Sequence, residues 1–501
     1  MKKPPQPLDT TGCCGPNPSR RTFLADAGMG FTGLALGALL AREGINAATP
    51  SDVWTPPDGQ AHFALKAKRV IWIFMIGGVS HIESFDPKPA INKYAGKTIA
   101  ETPHKDVLTS SFVKDNVKPI EAGNTRHLRM NLFPLQSGYR KRGESGIEVS
   151  DWWPHVGECV DDLAVVRSMW TTDNDHGAQL QFHTGRHIFF GYLPTVGSWV
   201  HYGLGSLNDN LPSYIVLGQP PADCCGGDGT HGSGYLGPEH AGIGIDVDPT
   251  NPLPFASPGP DMYRQEQKRE FELLQKLNKI SSTEYPDDPA LRARIKSYEL
   301  AFRMQMSVPE ALEFKQESDA TKKLYGIDED ATQPFGEVCL AARRLSERGV
   351  RFVQLYHGGN AGAGKWDAHR QLKKSYDDLC PRVDKPIAGL LKDLKQRGLL
   401  DETLVVWATE FGRTPGAEGA SGRDHHPFGF SVWMAGGGIK PGITHGATDE
   451  LGFHAVENRH YVTDVHSTVL HQLGLDGRKL EIPGRKRLDI DFGNPIHDIL
   501  A

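Results

Sequence analysis

The sequence has no pair of cysteines at the C-x-x-C spacing, although its 501 residues include seven cysteines. Because paired C-x-x-C motifs are the usual sign of a zinc ribbon, we do not expect that kind of zinc site. Cys159, Cys339 and Cys380 lie in apolar or helical contexts, which favours buried small side chains over a disulfide framework. The other four cysteines form two adjacent pairs, Cys13-Cys14 and Cys224-Cys225.

The sequence also lacks a stripe of basic residues and, outside its N-terminal leader, a long apolar run. The formal net charge is −6, from 55 basic and 61 acidic residues, which argues against a nucleic-acid-binding protein. Outside the N-terminal leader no run of 18 apolar residues occurs, so we expect a soluble mature chain without a membrane span. The hydrophobic fraction of 38% is ordinary for a globular protein, and the length allows one large α/β core or two domains.

The N-terminus carries a pattern typical of twin-arginine export signals. Ser19-Arg20-Arg21-Thr22-Phe23-Leu24 matches S-R-R-x-F-L, and an apolar stretch rich in Gly and Ala follows at 25–40. The alternative is an ordinary amphipathic helix after a chance Arg-Arg pair. We predict a signal peptide and leader at 1–48, a linker at 49–68, a single domain at 69–501, and a periplasmic or extracellular location.

Several short apolar runs predict buried strands of an open α/β sheet, because their apolar residues do not alternate with polar ones. These runs lie at 69–76, 163–169, 212–217, 351–356, 404–407 and 428–435. We expect a helical region at 147–162 and a long, charged helical segment at 262–306. In that segment a stripe at helical spacing is predicted to pack into the core: Phe271, Leu274, Leu277 and Ile280.

Side chains that bind metals follow the predicted strand ends. Glu410 lies just past the strand at 404–407, in a loop rich in Gly and Pro, and His425 and His426 precede the next strand. Asp367 and His369 follow the strand at 351–356. Functional groups gather at the carboxyl ends of strands in open α/β sheets. Carboxylates and imidazoles bind Zn²⁺, Mn²⁺ or Ca²⁺, so we predict a divalent-metal site.

Two further strand ends carry polar residues. After the first strand, Ser80, His81 and Asp86 are possible site residues, or they form a plain turn in which Asp86 caps a helix. The strand at 163–169 leads into 171–177 and then a helix, and a helix N-terminus suits a phosphate or sulfate ester. His176 is either a ligand there or a capping residue.

With these motifs at its predicted strand ends, the chain resembles a family of exported bacterial proteins catalogued as domain of unknown function 1501. That family is assigned to the alkaline phosphatase and sulfatase superfamily. The resemblance covers about Lys68 to Asp489. It is carried by Gly77-Gly78-Val79-Ser80-His81, Phe85-Asp86-Pro87-Lys88-Pro89, Trp366-Asp367-Ala368-His369, Glu410-Phe411-Gly412-Arg413-Thr414-Pro415 and Gly422-Arg423-Asp424-His425-His426-Pro427.

The resemblance implies an alkaline phosphatase-like α/β fold. Its core is a mainly parallel sheet sandwiched between helices, with long loop excursions and metal at the strand ends. By this match Glu410 takes the place of a metal-binding Asp, and His425 or His426 that of a later metal-binding His. Asp367 and His369 resemble the middle ligands. The superfamily's first metal-binding Asp is absent at Gly77-Gly78, so Ser80, His81 or Asp86 would substitute for it.

The resemblance departs from the superfamily at the nucleophile. The segment before Thr184-Gly185-Arg186 resembles the sulfatase segment that carries a modified Cys, and here Asp175 or His176 stands at that position. Formylglycine chemistry is therefore excluded there. The remaining options are Thr171 or Thr172 as nucleophile, attack by a metal-activated water, or a degenerate site that only binds.

The predicted function is an exported, metal-dependent hydrolase of sulfate or phosphate esters. Its substrate would be a small-molecule or polysaccharide ester, with His176 in the catalytic site and Arg423 or Arg413 holding the anionic group. The first alternative is a catalytically degenerate, metal-containing binding protein of the same fold. A third possibility is another metal-dependent reaction, such as phosphomutase or phosphonate-cleaving chemistry.

Overall fold

The structure is a computed structural model that describes residues 59–112, 129–248, 250–253, 264–284, 289–359, 362–482 and 484–501. All of these residues belong to one compact unit, Thr55–Ala501. The predicted signal peptide and leader at 1–48, and residues 49–58 of the predicted linker, lie outside the described residues. In the part of the chain that is described, no helix is long and apolar enough to cross a membrane.

The described strands are β1 (Arg69–Met75), β2 (Tyr139–Arg142), β3 (Ile147–Ser150), β4 (Leu163–Trp170), β5 (Tyr214–Leu217), β6 (Ile243–Ile245), β7 (Phe352–His357), β8 (Thr403–Ala408), β9 (Gly412–Glu418), β10 (Gly422–His426), β11 (Phe430–Ala435), β12 (Ile443–His445), β13 (Ala447–Thr448), β14 (Ala455–Glu457) and β15 (His460–Tyr461). The described α-helices are α1 (Pro89–Lys93), α2 (Pro154–Gly157), α3 (Gly177–Thr184), α4 (Val196–Leu204), α5 (Arg264–Glu284), α6 (Pro289–Leu312), α7 (Asp319–Leu324), α8 (Gln333–Glu347), α9 (Leu372–Gln396) and α10 (Val462–Gln472).

Nine of the described strands form the central sheet, in the order β12-β4-β11-β8-β1-β7-β5-β6, with β15 also paired to β4. β1 is parallel to both β7 and β8, whereas β11 is antiparallel to both β8 and β4. β1, β4, β7 and β8 therefore all point the same way, and their carboxyl ends lie along one edge of the sheet. The predicted mainly parallel α/β sheet is confirmed.

Helices cover both faces of this sheet. Ile71, Ile73 and Met75 of β1 belong to the core that includes buried residues of α8 and α9. Trp72 and Phe74 point the other way, and their rings contact Phe182 of α3 at 5.6 and 5.5 Å between centroids. Burial on both faces explains why the strand residues do not alternate between apolar and polar.

Three local predictions are wrong. Residues 147–162 begin with strand β3, and their helical part is limited to the short helix α2, which starts at a proline, and a 3-10 turn at Val160–Asp162. The Gly- and Pro-containing segment after Glu410 is a paired antiparallel ribbon, β9–β10, rather than a loop. On α5, Phe271 stacks on Phe302 of α6 with ring centroids 3.9 Å apart, whereas Leu274, Leu277 and Ile280 are 39%, 53% and 63% exposed and do not pack into the core.

Candidate metal centre

Four side chains meet at the edge where the parallel strands end. His176 immediately precedes α3, which follows β4; Asp367 and His369 follow β7; and His425 lies on β10, in the ribbon that follows β8. One ligand atom from each of the four lies within 4.8 Å of the others. We call these residues the ligand cluster. The parallel sheet thus brings together side chains that are far apart in sequence.

Asp367 is the centre of the ligand cluster. Its Oδ1 lies 2.9 Å from Nε2 of His369 and 3.1 Å from Nε2 of His425. Its Oδ2 lies 3.4 Å from Nε2 of His176. The Nε2 atoms of His369 and His425 are themselves 2.8 Å apart. Three imidazole nitrogens and one carboxylate therefore face a common point.

In two of these imidazoles, the ring nitrogen that faces away from the cluster already has a hydrogen-bond partner. Nδ1 of His425 lies 2.7 Å from the carbonyl oxygen of Asn174, so an Nδ1–H donated there leaves the Nε2 lone pair toward the cluster. Nδ1 of His176 lies 3.1 Å from Oε1 of Glu410. Nε2 of His176 is buried and makes no hydrogen bond within the described residues, although Oδ2 of Asp367 is near. These nitrogens are oriented as metal-ligating histidines are.

The electrostatics favour positive charge at this point. Burial opposes ionisation of Asp367, but three histidines and Arg413 hold its pKa far below the usual range. Burial lowers the pKa of His176, yet the carboxylates of Asp367 and Glu410 outweigh it and raise the pKa to about 9. The pKa of His369 is also raised, despite burial, by Asp367 and Glu418. Burial lowers the pKa of His425.

The donor set fits a divalent metal ion. Imidazole nitrogens with one carboxylate oxygen are common ligands of such ions, and each histidine must be neutral to bind one. The convergence of four ligand atoms favours a ligand role for His176 over a structural one, and its buried Nε2 is paired with Asp367 without making a hydrogen bond within the described residues.

Glu410 lies behind the ligand cluster. Its buried carboxylate accepts hydrogen bonds from the amide of Gly77 at 2.9 Å and from Nε2 of Gln179 at 2.9 Å, and it also contacts His176. With these contacts Glu410 orients His176 and is not one of the four converging ligands, contrary to the predicted ligand role.

Arg413 and Glu418 hold two other members of the cluster. Nη2 of Arg413 donates to Oδ1 of Asp367 at 2.8 Å, while its Nε donates to the carbonyl oxygen of Gly78 at 2.8 Å. Glu418 hydrogen-bonds Nδ1 of His369. Each ligand-type side chain is thus fixed by a second residue.

A second group of ligand-type atoms shares His369 with the cluster. It consists of His369, Glu418 and Asp424, whose ligand atoms also lie within 4.8 Å of one another. Arg129 occupies this group: its Nη2 lies 2.6 Å from Glu418 and its Nε lies 2.7 Å from Asp424. The guanidinium already pairs with both carboxylates, so we assign this group to positioning His369. Sequence reasoning missed Arg129 and Glu418, since neither lies at the end of a strand that the sequence predicts.

Besides Glu410, three more predicted ligands lie outside the cluster: His426, His81 and Asp86. His426 follows His425 on the same strand, so its side chain points to the other side, where Nε2 bonds the carbonyl oxygen of Phe453. Nε2 of His81 lies 2.8 Å from the carbonyl oxygen of Gly452. Asp86 pairs with Lys88 at 3.0 Å and bonds Thr448. The structure gives these three residues packing roles instead.

Arg423 is not placed to hold an anionic substrate. Its guanidinium is fully buried and binds Glu83, with Nη2 at 2.6 Å and Nε at 2.9 Å from Oε1. It also donates to the carbonyl oxygens of Thr414 and Pro415. Arg423 therefore ties the ribbon to the segment after β1.

The two hydroxyl groups predicted as nucleophiles, those of Thr171 and Thr172, make their hydrogen bonds with Gln181 and not with the cluster. Thr171 Oγ1 donates to Gln181 at 3.0 Å, and Gln181 donates to Thr172 at 2.7 Å and to Tyr461 at 2.6 Å. Among the described residues, neither hydroxyl bonds a member of the ligand cluster.

The N-terminus of α3 is already faced by carboxylates. Oδ1 of Asp173 accepts the amide of Asp175 at 3.0 Å, and Oδ1 of Asp175 accepts the amide of His176 at 2.9 Å. These two negative charges would repel an anionic ester. The geometry therefore does not support the predicted anion site at this helix end.

Comparison with known proteins gives one family and several weakly similar structures. A family model described as protein of unknown function (DUF1501) matches residues 67–500. Among curated proteins, none matches the chain. Solved structures with a similar fold include the PsFucS1 sulfatase from Pseudoalteromonas sp., at 12% identity and a TM-score of 0.33, covering 87% of this chain and 72% of that one.

Two further structures are similar at the same level. The phosphonate monoester hydrolase SpPMH from Silicibacter pomeroyi has 13% identity and a TM-score of 0.34, with 70% of this chain and 71% of that one covered. The alkaline phosphatase from the Antarctic bacterium TAB5 has 10% identity and a TM-score of 0.33, with 82% and 99% covered. At these TM-scores the likenesses carry no argument about the site.

Proposed function

Because this chain belongs to the family described as protein of unknown function (DUF1501), its activity must be argued from the site, and we propose a metal-dependent hydrolase of sulfate or phosphate esters. The observation that carries the proposal is the convergence of His176, Asp367, His369 and His425 within 4.8 Å at the carboxyl edge of the sheet. Such edges hold the functional groups of open α/β proteins.

The proposed ion is Zn²⁺ or Mn²⁺ rather than Ca²⁺. Ca²⁺ takes six to eight oxygen ligands, whereas this cluster offers three imidazole nitrogens and one carboxylate. A bound ion would stabilise the negative charge of the ester and activate water for attack. The four residues of the ligand cluster would hold it.

The chain's own residues keep these ligands in place. Asn174 accepts from His425, Glu410 contacts His176, and Arg413 donates to Asp367. Such partners fix the tautomer and orientation of metal-ligating side chains, and their loss typically weakens metal binding. The cluster is therefore preorganised for a cation.

Water is the proposed nucleophile. Thr171 and Thr172 are engaged with Gln181, so neither hydroxyl is directed at the cluster in this structure. A binding protein without turnover is the second candidate, favoured by this same lack of a hydroxyl nucleophile at the cluster.

The test is metal analysis and ester turnover of the full chain and two neighbouring variants. After loading with Zn²⁺ or Mn²⁺, the wild type should bind metal and cleave 4-nitrophenyl sulfate or 4-nitrophenyl phosphate. His425→Gln should weaken metal binding by more than about 100-fold and abolish turnover. The adjacent His426→Gln is the matched control and should keep both, with thermal unfolding of each variant checking the fold.

Three outcomes separate the candidates. Metal binding with turnover that is lost in His425→Gln supports the hydrolase. Metal binding without turnover of either ester supports the binding protein. A wild-type chain that binds neither ion would overturn the assignment of the ligand cluster.

A further inference from the structure

Cys224 and Cys225 are adjacent in sequence and lie in the short turn Asp223–Cys225. Their Sγ atoms are 2.9 Å apart. Cys224 is exposed, whereas Cys225 is buried. The other described cysteines, Cys159, Cys339 and Cys380, are each buried. The adjacent pair therefore combines close sulfurs with access from solvent.

The turn holds both thiols against each other. The carbonyl oxygen of Ala222 accepts the amides of Cys225 at 2.9 Å and Gly227 at 3.1 Å. Gly226 and Gly227 follow with φ angles of +115° and +46°, which other residues rarely adopt. The backbone bends back directly after the pair, so these hydrogen bonds fix the position of both cysteines.

We propose that Cys224 and Cys225 are a modification site at which an external disulfide converts the two thiols into a vicinal disulfide. A disulfide has a sulfur–sulfur distance of about 2.05 Å, so closure requires the two Sγ atoms to approach by about 0.9 Å. Closure combines rotation of both side chains with a small distortion of the turn, because a disulfide also requires the two Cβ atoms to lie about 3.5–4.5 Å apart.

The exchange proceeds in two steps. The thiolate of exposed Cys224 attacks one sulfur of the external disulfide, breaks its S–S bond and releases one thiol, leaving a mixed disulfide on Cys224. Cys225 then loses its proton and attacks Sγ of Cys224, which releases the second thiol. The protein loses two electrons and two protons, and the external disulfide gains them as two thiols.

Burial of Cys225 makes the second step of the exchange the slower one. It raises the pKa of the Cys225 thiol, and the neighbouring Cys224 adds to this effect. Because only the thiolate is nucleophilic, the second step is slow at neutral pH and becomes faster as pH rises.

The vicinal disulfide is reversible. Neighbouring Cα atoms are fixed about 3.8 Å apart, which is shorter than the roughly 4.4–6.8 Å that disulfides usually span. The strain makes the bond easier to reduce than a structural disulfide. Closing so short a loop also removes little entropy from the unfolded chain, so the disulfide adds little to the stability of the fold.

The turn adjoins the helix that positions His176. Gly226 packs so closely on Leu180 of α3 that a Cβ at position 226 would lie 2.8 Å from Cβ of Leu180. Gln179, the preceding residue of α3, hydrogen-bonds Glu410. An effect of oxidation on metal affinity would depend on the proposed function being correct. Formation of the disulfide does not depend on it.

The disulfide is tested on the full chain by mass spectrometry. The reduced protein is incubated with glutathione disulfide, treated with N-ethylmaleimide and cut with trypsin. The peptide His187–Arg264 contains Cys224 and Cys225 and no other cysteine. We expect this peptide to lose two hydrogens and take up no N-ethylmaleimide, and to take up two after treatment with a reductant.

Two single variants test the order of attack. Cys225→Ser should stop at the mixed disulfide and keep one glutathione on Cys224. Cys224→Ser should react much more slowly, because Cys225 is buried. The proposal is overturned if the wild-type peptide keeps a stable glutathione, takes up two N-ethylmaleimides after oxidation, or forms a disulfide between two chains on a non-reducing gel. Unfolding curves check that each variant folds.

Discussion

At the scale of single residues, each side chain of the ligand cluster has a partner that fixes its orientation. The partners come from separate parts of the chain, and three of them, Glu410, Arg413 and Glu418, carry charges opposite to the charge that their ligand has when it is ionised. The pairs are Asn174 with His425, Glu410 with His176, Arg413 with Asp367, and Glu418 with His369. This arrangement predicts graded effects, in which loss of a partner weakens metal binding without abolishing it.

Replacement of Glu410 tests this arrangement. Glu410→Gln keeps the shape of the side chain but removes the charge that orients His176, so metal affinity should fall about 10- to 100-fold with unchanged stoichiometry at saturation. Competition with a chromophoric chelator measures the affinity. Glu402→Gln is the control, because Glu402 is a partly exposed carboxylate paired with Lys68. Wild-type affinity in Glu410→Gln would contradict the positioning role.

The raised pKa of His176 predicts a pH dependence of metal binding. In the metal-free protein His176 is protonated below its pKa of about 9, and the metal requires the neutral ring. Each ion bound below that pH must displace this proton, so the apparent affinity for Mn²⁺ should rise at least about tenfold per pH unit from 7 to 9 and then level off. Any proton still held by His369, whose pKa is also raised, makes the rise steeper. Titrations at several pH values measure it, and a flat profile would contradict the assignment.

At the scale of elements, the β9–β10 ribbon connects the ligand cluster to the rest of the fold. It carries His425 and Arg413 toward the cluster, and Arg423 toward Glu83. Glycines allow neighbouring segments to approach it: a Cβ at Gly422 would lie 1.8 Å from the carbonyl oxygen of His369. The position of His369 therefore depends on a residue without a side chain.

Gly422→Ala should disturb the metal centre through this contact. The added methyl group forces the backbone of His369 away, so we expect a loss of about 1–3 kcal/mol in stability together with weaker metal binding. Thermal unfolding and metal titration measure the two effects. Gly244→Ala is a suitable control, because a Cβ there has no heavy atom within 4 Å. Equal behaviour of the two variants would contradict the role of the close contact.

The pair of Arg423 and Glu83 predicts a loss of stability rather than of substrate binding. Both side chains are fully buried, so Arg423→Met leaves an unpaired carboxylate and should cost about 3–5 kcal/mol. Arg382→Met, which breaks an exposed pair with Asp378, should cost about 0.5 kcal/mol or less. Urea unfolding distinguishes them. If Arg423 instead held the substrate, its loss would raise KM and leave stability unchanged.

At the scale of the whole molecule, the strands and the region of the site could be predicted because their causes are local. Strands buried on both faces leave continuous apolar runs, and ligand-type residues after those runs pointed to Asp367, His369 and His425. The choice between His425 and His426 was not predictable, since a shift of one residue reverses the face of a strand. The burial of Arg423 depends on Glu83, 340 positions away, and leaves no local pattern.

We propose that the chain is exported by the twin-arginine route, on the basis of the motif at its N-terminus. Replacing Arg20 and Arg21 by Lys should keep the protein in the cytoplasm, because the paired arginines are the recognised feature of such signals. Immunoblots of cell fractions measure the distribution. Arg382→Lys, the same change at an exposed position far from the motif, is the control. Unchanged export of the double variant would contradict the proposal.

The wide separation of the ligands along the chain couples metal loading to completion of the fold. His176 and His425 meet only after β4, β7, β8 and the β9–β10 ribbon have all taken their places. An unfolded or half-folded chain offers no such cluster, so the proposed ion would bind the native state more tightly and shift the folding equilibrium by mass action. Once the free ion concentration exceeds its Kd, each further tenfold increase in that concentration would add about 1.4 kcal/mol to the free energy of unfolding.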